Sequence, residues 1–450
     1  MAPARVRLPR MRSGGHAKWW LMATTLCFGL AASSCAGSSE SSSPPSSAVA
    51  TVRASTLPAE ATSTTVTSAA SSQSKPTRTT GLGATPSPTA IFAPTSPAPM
   101  TDPAVRMLAA MSQQQRVGQL IMVGTKATGA SSSTLSAISN YHVGNVILTG
   151  RSTLGIASTT RVVARLRART TVSATAKVGL FVATDQEGGK VQVLSGPGFS
   201  TIPSALTQGV WATSTLRARA ATWGRQLRSA GVNVNLAPVT DTVPHATAQS
   251  NRPIGFYQRE FGFTTAVVGP HASAFVQGMQ SARVAATPKH FPGLGRVMGN
   301  TDTTAGVTDS ITTRTSTYLG PFRQAIAAGA PFVMMSSAYY SKIDSNHPAC
   351  FSRVVVTGML RGDLGFQGVV ISDDLGRAQQ VARWSAGSRA TQFIAAGGDV
   401  VLTVDPALAP AMAEAIAAKA NSSASFRRQV DSAALRVLRA KAATSLLPVT

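Results

Sequence analysis

The side chains in this sequence most capable of chemistry are a few carboxylates and one Lys–His pair. Asp185, Asp241 and Asp373 each stand at the end of a short apolar run, and Lys289 and His290 end another such run. Two carboxyl groups can act together at the anomeric carbon of a sugar, one ionised as nucleophile or base and one protonated as acid. The residue types therefore indicate carbohydrate chemistry, and they leave open which residue supplies the proton.

Other reaction classes lack their motifs in the sequence. It contains no HExxH or CxxC pattern, and its six histidines are scattered, so metal catalysis is not predicted. A GxSxG nucleophile elbow and a Walker-type phosphate loop are absent as well. We therefore predict an enzyme without a metal ion or an organic cofactor.

Eight apolar runs organise the chain beyond residue 100, and each is followed by Gly, Asp or Ser and then by an Ala/Arg-rich stretch of helical character. The runs are QLIMVG, VGNVILTG, VGLFVATDQEGG, VNVNLAPVTD, RVAATPKHF, PFVMMSSAYY, GVVISDDL and GGDVVLTV. Continuous apolar character is typical of parallel strands that are buried on both faces. Eight strand–helix units over about 350 residues predict an α/β fold of the (β/α)₈ TIM-barrel type. A doubly wound open sheet is the alternative, but DQEGG and FPGLG lack the dinucleotide fingerprint that would favour it.

Four motifs give the sequence a family resemblance. They are DQEGGKVQ at 185–192, NLAPVTD at 235–241, KHFPGLG at 289–295 and VVISDDL at 369–375. In this order they resemble glycoside hydrolase family 3, and within it the single-barrel bacterial β-N-acetylglucosaminidases (β-hexosaminidases) of cell-wall turnover. The resemblance extends from about residue 101 to residue 404.

The resemblance implies a role for several residues. Asp373 would be the nucleophile that forms a covalent glycosyl-enzyme, and Asp374 would be its neighbour. Asp185, Lys289 and His290 would bind the hydroxyl groups of the sugar, since an ionised carboxylate accepts hydrogen bonds from hydroxyls and an ammonium group donates to them.

A further substrate-binding residue is Arg259, in the segment IGFYQREFG. It corresponds to a sugar-binding Arg in the family's IGxRSFG segment, with two additional residues before it in this sequence.

The proton donor is where the sequence departs from the family. Leu294 replaces the second His of the usual KHFPGHG, and Val193 stands where the family has an Arg. The family's acid/base is a His in a mobile loop, held by an Asp two residues earlier. In this sequence Asn300 stands at the position of that Asp, and Asp302 stands at the position of the His.

Three hypotheses for the proton donor follow. Asp302 could act directly as a carboxylic acid/base; burial would raise its pKa as this requires, while Arg296 would oppose the change. A donor from elsewhere, such as Asp309, could instead swing into the site. The third hypothesis is a catalytically weak site that only binds sugar.

The first hundred residues form two further segments. Residues 1–34 combine several basic residues with the apolar run WWLMATTLCFGLAASS, which is shorter than the ~20 residues of a membrane-spanning helix and predicts a cleaved export signal. AASSCAG resembles a bacterial lipobox, with Cys35 as the acylated residue. Residues 35–100 are rich in Ser, Thr, Pro and Ala and predict a disordered linker. The barrel is expected over residues 101–450.

Charge and cysteine content bear on partners. The formal net charge is +24, which favours anionic surroundings such as wall polymers or lipid headgroups, or serves solubility alone; no nucleic-acid-binding motif accompanies it. Cys350 is the single cysteine expected in the mature barrel, so it cannot form an internal disulfide and is expected to be a small buried residue.

The sequence as a whole predicts an exported, lipid-anchored, monomeric glycosidase. It would remove terminal β-linked N-acetylglucosamine from peptidoglycan fragments or muropeptides with retention of configuration. A β-glucosidase-like enzyme of the same family and a catalytically weak sugar-binding lipoprotein are the alternatives.

Overall fold

Eight short parallel strands form the centre of residues 102–448, which are the residues that this computed structural model describes. In chain order the strands are β1 Ile121–Lys126, β2 Asn145–Thr149, β3 Phe181–Thr184, β4 Val234–Asn235, β5 Ala285–Ala286, β6 Phe332–Met335, β7 Val369–Asp374 and β8 Val400–Thr403. Seven of the predicted apolar runs contain one of these strands each, and β1 begins in the run QLIMVG and extends two residues beyond it. Their order in the sheet is β5-β4-β3-β2-β1-β8-β7-β6, with parallel pairing throughout.

The residues that follow β5 close this sheet into a barrel. The N–H of Met334 donates to the carbonyl of Pro288 at 3.0 Å, and the N–H of Phe291 donates to the carbonyl of Met334 at 2.8 Å. The N–H of Ser336 then donates to the carbonyl of Phe291 at 2.8 Å. Because β5 and β6 are the two ends of the strand order, these bonds join the ends of the sheet. The (β/α)₈ prediction is confirmed, and the open-sheet alternative is wrong.

Helices connect consecutive strands on the outside of the barrel. The connecting helices are Ser132–Asn140, Gly155–Arg167, Thr213–Ser229, Thr265–Ser281, Gly320–Ala327, the π-helical Val354–Asp363 and Ala386–Ala396. Helix Ala409–Ser422 follows β8 and completes the last unit. Helices Pro103–Ala110 and Gln113–Gly118 precede β1, Ala424–Ala442 follows the last unit, and Val172–Thr175 and Ala205–Gln208 are single turns. In the described part of the chain, no helix combines the length and the apolar character needed to cross a membrane.

Helix Thr213–Ser229 illustrates why the Ala/Arg-rich stretches are helical. Leu216, Ala220, Trp223 and Leu227 recur at helical spacing and are buried. They form one apolar stripe that packs on the barrel, while the arginines occupy the other faces. The same period-3.6 pattern distinguishes the helices from the continuously apolar strands.

The amino-terminal end of the barrel contains an unusual buried lysine. Lys441 is completely buried, and its Nζ donates to Gln119 Oε1 at 2.6 Å and to the carbonyl of Gly144 at 2.8 Å. Burial holds the pKa of this lysine well below its usual range. Cys350 is also fully buried, as expected. The opposite end of the barrel, where the strands terminate in polar residues, contains the candidate site.

Candidate active site

A cavity of about 400 Å³ lies at the carboxyl ends of the strands. Strands β3, β5 and β7 lead into it directly, and the long segments after β4 and β5 complete its wall. It brings together all six site residues that the sequence predicted in the barrel: Asp185, Arg259, Lys289, His290, Asp302 and Asp373.

Lys289 is the centre of a buried charge network on one wall of the cavity. Its Nζ lies 2.7 Å from Asp185 Oδ1 and 2.6 Å from Glu187 Oε1. Arg259 holds the same Glu187 with two bonds, from Nε to Oε2 at 2.9 Å and from Nη2 to Oε1 at 2.8 Å. Two cations and two carboxylates thus balance each other. Asp185 is the most open of the four, with 30% of its side chain exposed, so it can accept from a ligand.

The protonation states in this network are fixed by the ion pairs. Burial alone would raise the pKa of Glu187, but the charges of Arg259 and Lys289 outweigh it and lower that pKa to about 2. Burial alone would lower the pKa of Lys289, but Asp185 and Glu187 raise it overall. Lys289 therefore stays a hydrogen-bond donor and Glu187 an anion at neutral pH.

Glu187 is a site residue that sequence reasoning missed. It lies on the short strand Gln186–Gly188, which pairs antiparallel with Val191–Gln192. In extended backbone, residues two positions apart share a face. The spacing of Asp185 and Glu187 within DQEGG could therefore have indicated that both carboxylates meet the same cation.

His290 is oriented by a second buried carboxylate, Asp241. Asp241 Oδ2 lies 2.8 Å from His290 Nδ1, and Asp241 Oδ1 accepts the backbone N–H of His290 at 3.1 Å and of Leu294 at 2.9 Å. With Nδ1 donating to Asp241, Nε2 is the ring nitrogen that remains for a ligand. The bond from Leu294 uses only its backbone, so Leu at the position of the family's second His leaves this turn in place.

Asp373 and Asp374, adjacent at the end of β7, have different surroundings. Asp374 Oδ1 accepts the backbone N–H of Gly376 at 2.8 Å and of Val404 at 3.0 Å, and Oδ2 accepts that of Arg377 at 3.1 Å. Asp373 Oδ1 accepts the N–H of Asp374 at 2.8 Å, and no described residue donates to Oδ2. Asp374 thus holds the turn after β7, while Asp373 keeps an oxygen free in the cavity.

The loop that contains Asp302 is held against the segment after β7. The N–H of Gln379 donates to the carbonyl of Asp302, and that of Gln380 donates to the carbonyl of Thr301, both at 3.1 Å. The Gln380 side chain bonds Val307 in both directions, accepting its N–H at 2.9 Å and donating to its carbonyl at 3.0 Å. Asn300 Oδ1 accepts the N–H of Asp302 at 2.9 Å. These bonds hold the loop where Asp302 lines the cavity.

The pKa of Asp302 is raised to about 6, first by burial of its carboxyl group and next by repulsion from Asp373. The residue as a whole is exposed to solvent, and it lines the same cavity as Asp373. His290 and Arg259 oppose the rise. Arg296, the cation expected to oppose it, instead stacks on Tyr318 with its guanidinium carbon 3.5 Å from the ring centroid.

Asp309, the other predicted proton donor, lies outside the lining of the cavity. It is fully buried, and its carboxylate accepts the N–H groups of Ile311 and Thr312 at 2.7 and 2.8 Å and the hydroxyl of Thr312 at 2.5 Å. Swinging into the site would leave these donors without an acceptor, so the structure disfavours this hypothesis.

Cys35, the export signal at 1–34 and the linker at 35–100 lie outside the described residues. They stay predictions from the sequence.

Comparisons with known proteins agree with this geometry. The family model described as the glycosyl hydrolase family 3 N-terminal domain matches residues 112–440. A β-hexosaminidase of Xylella fastidiosa (strain M23) is 33% identical over 317 residues, which cover 68% of this chain and 90% of that protein.

Solved structures give the same result. A β-N-acetylhexosaminidase from Beutenbergia cavernae DSM 12333 is 53% identical, with a TM-score of 0.73 over 74% of this chain and 99% of that one. A family 3 β-N-acetylglucosaminidase from Paenibacillus sp. str. FPU-7 is 30% identical, with a TM-score of 0.66 over 76% of this chain and 64% of that one. This chain therefore belongs to glycoside hydrolase family 3 and is an enzyme that acts on O-glycosyl bonds.

Proposed function

We propose that this enzyme is a retaining exo-β-N-acetylhexosaminidase that removes terminal β-linked N-acetylglucosamine. Two relatives named for this activity align with this chain over 90% and 99% of their own lengths. The cavity, at about 400 Å³, is of the size of a pocket that encloses one small ligand. The observation that carries the mechanism is the pairing of Asp373 with Asp302, because the two carboxyl groups share one cavity and Asp302 has a pKa raised to about 6.

The reaction proceeds in two steps on these groups. Asp373 attacks the anomeric carbon while protonated Asp302 gives its proton to the leaving oxygen, so that the glycosidic bond breaks and a glycosyl ester of Asp373 forms. Ionised Asp302 then takes a proton from water, which attacks the same carbon and releases Asp373. Two inversions give net retention of configuration.

The remaining residues bind the sugar in the non-reducing position. Asp185 accepts from sugar hydroxyls and Lys289 donates to them, which gives charge-assisted bonds, while His290 presents Nε2 to a sugar hydroxyl. Arg259 lines the cavity, but Glu187 holds its guanidinium, and its Nη1 donates to the carbonyl of Pro253 at 2.8 Å. Arg259 therefore holds Glu187, and through it Lys289, in place. Any direct contact with the sugar would be an additional role.

The natural substrates in this proposal are peptidoglycan fragments or muropeptides outside the cytoplasm. The support comes from the sequence: an export signal at 1–34, a lipobox-like Cys35, a linker at 35–100 and a net charge of +24 that suits an anionic cell wall. The protein would act as a monomer tethered to the membrane by lipid.

A comparison of aryl glycosides tests this function. The purified protein should turn over an aryl β-N-acetylglucosaminide much faster than the matching aryl β-glucoside, and the sugar first released should have the β configuration by NMR. Faster turnover of the glucoside would support the β-glucosidase alternative. Sugar binding without turnover of either compound would show that the site is catalytically dead.

A further inference from the structure

A second cavity, of about 490 Å³, lies at the amino-terminal end of the barrel. Its wall contains Arg167, the last residue of helix Gly155–Arg167, and Arg228, near the end of helix Thr213–Ser229. Gly179, two residues before β3, also lines it. Residues that end a helix or precede a strand stand at the barrel end opposite to the carboxyl ends of the strands. This cavity is therefore remote from the candidate active site.

Two arginines and one lysine line this cavity: Arg167, Lys177 and Arg228. Arg167 Nη2 donates to the carbonyl of Gly231 at 2.8 Å, which holds the guanidinium in place. Partial burial lowers the pKa of Arg167, and the positive charge of Arg228 lowers it further. Within residues 102–448, none of the three cations forms an ion pair with a carboxylate. The cavity therefore gathers positive charge that no described carboxylate balances.

The chain around this cavity has the same bias in charge. Residues 155–184 contain five Lys or Arg, residues 188–240 contain another five, and neither stretch contains an Asp or Glu. The two stretches supply neighbouring parts of the barrel, because β2, β3 and β4 are adjacent in the sheet. A helix dipole favours a cation at the carboxyl end of its own helix, which accounts for single arginines. It does not account for the lack of acidic residues across both stretches.

The chain enters the barrel beside this cavity. The linker predicted at 35–100 precedes Asp102, which is the first described residue. Helix Pro103–Ala110 follows and shares a small buried cluster with Val178, and Leu447 packs against that cluster. Val178 stands between two residues that line the cavity, and Leu447 lines it as well. The predicted linker therefore joins the barrel at the end that contains the cavity.

We call the cavity with Arg167, Lys177 and Arg228 the basal pocket. We propose that the basal pocket binds the phosphate of an anionic phospholipid headgroup and so turns the candidate active site away from the membrane. A guanidinium offers a planar fork of donors that matches two phosphate oxygens, and an ammonium adds a compact charge. A cavity of this volume is large enough for a group of that size. Because the two sites lie at opposite ends of the barrel, a protein bound through the basal pocket presents its active site to the cell wall.

The proposed membrane tether is the reason for choosing a lipid as the ligand. A flexible linker at 35–100 would keep the basal pocket close to the bilayer, so lipid phosphates would reach it at a high effective concentration. The identity of the ligand thus rests on the proposed function, whereas the positive charge of the pocket does not depend on it. A wall polymer with phosphodiester groups carries the same charge without a bilayer, and the test separates the two.

Binding to vesicles tests the basal pocket. Every protein is the full chain with Cys35→Ser, so that no attached lipid contributes. The protein with an unchanged pocket should bind vesicles of mixed phosphatidylcholine and phosphatidylglycerol more tightly than vesicles of phosphatidylcholine alone. Arg167→Gln/Lys177→Gln/Arg228→Gln should lower the association constant for the mixed vesicles by about a hundredfold, because each basic residue at an anionic surface contributes about fivefold. Added salt should weaken the binding of the protein with an unchanged pocket.

A matched control removes three positive charges at the other end of the barrel. Lys126 ends β1, and Lys342 and Arg353 lie between β6 and helix Val354–Asp363; all three are exposed. Lys126→Gln/Lys342→Gln/Arg353→Gln should change the association constant much less than the pocket substitutions, although the change in net charge is equal. Urea unfolding and turnover of an aryl β-N-acetylglucosaminide should be the same in both triple variants as in the parent protein, which shows that they are folded.

Amide hydrogen exchange locates the contact. Mixed vesicles should slow exchange in residues 167–179 and 444–448, which surround the basal pocket, and leave exchange in residues 300–302 of the active-site cavity unchanged. A soluble poly(glycerol phosphate) supplies the same phosphodiester without a bilayer. It should slow exchange less than vesicles that contain an equal amount of phosphate. Stronger protection by the polymer would assign the pocket to a wall polymer and overturn the lipid assignment.

The outcomes separate this inference from the proposed function. Equal vesicle binding with and without the pocket substitutions, or protection confined to residues outside the basal pocket, would overturn the inference and leave the proposed catalytic function standing. Absence of turnover together with lipid-dependent protection of the pocket would overturn the proposed catalytic function and support the basal pocket.

Discussion

Replacing Asp302 tests the proton-transfer step directly. A pKa of about 6 in place of 3.8 leaves about one Asp302 in eleven protonated at pH 7, against roughly one in 1,600 for an unperturbed carboxyl. Asp302→Ala removes this acid. A positioned general acid contributes ~10²–10⁴-fold, so hydrolysis of a poor leaving group should slow by that factor. For an aryl glycoside whose oxygen leaves without a proton, the rate of the first step should fall much less.

The assay is a series of aryl β-N-acetylglucosaminides with leaving groups of increasing pKa. For the variant, log(kcat/KM) should fall steeply with leaving-group pKa, and azide should restore turnover by attacking the glycosyl-enzyme in place of activated water. The wild-type kcat/KM should fall as pH rises through about 6, because the acid must be protonated, and the variant should lose this limb.

A matched control is Asp363→Asn, since the carboxylate of Asp363 pairs only with Arg314 on the exposed outer surface among the described residues. It should retain the wild-type profile. The reasoning about Asp302 would be refuted by an equal loss on all leaving groups without azide rescue, together with an unchanged pH limb. Asp302 would then have a binding or structural role.

Three further predictions concern the surroundings of the site and the barrel. In Glu187→Gln, the free energy of unfolding at pH 7 should fall by about 3 kcal/mol, from the lowering of its pKa from 4.5 to about 2. The difference in unfolding free energy between wild type and variant should vanish as pH falls from 4.5 through 2, because the carboxyl group of the unfolded chain binds its proton first. A difference that urea unfolding shows to be independent of pH would contradict this. Asp374→Ala should lower the free energy of unfolding by ~1–3 kcal/mol, because three backbone N–H groups lose their acceptor, whereas Asp373→Ala should abolish turnover with little change in urea unfolding. For Lys441→Met, the free energy of unfolding of the wild type minus that of the variant should rise with pH up to the usual lysine pKa. The reason is that the pKa of Lys441 is depressed in the native state, so the unfolded chain binds the extra proton. A difference that falls with pH would refute a neutral buried lysine.

The fold could be predicted because one pattern repeats eight times. Each strand is short, such as the two residues of β4 and of β5, yet each begins within a continuously apolar run that is largely buried. The pattern also predicted which residues come together, because the carboxyl ends of parallel strands in a barrel meet at one end. The exact strand bounds could not be predicted, since they depend on pairing between runs that are far apart in the chain.

The site residues could be predicted but most of their partners could not. Asp185 and Lys289 are 104 positions apart, and Glu187 and Arg259 are 72 apart. No local pattern encodes such pairs. The tie between Gln380 and Val307 is equally remote, at 73 positions, and Gln380 carries no charge that would draw attention in the sequence. The resemblance named the residues expected to contact a sugar, whereas only the structure shows what holds them.

The tie between the Asp302 loop and the segment after β7 has a mechanical consequence. Asp373 is the next-to-last residue of β7, and the Gln379–Gln380 backbone that follows the strand bonds the carbonyls of Asp302 and Thr301. The proposed donor Asp302 and the proposed nucleophile Asp373 are therefore parts of one linked body. A displacement of this body moves both carboxyl groups together and preserves the gap between them, while it changes their joint distance from Lys289, which follows β5. Motion at this end of the barrel should thus alter how well a sugar is held before it alters the spacing on which the stereochemical course depends.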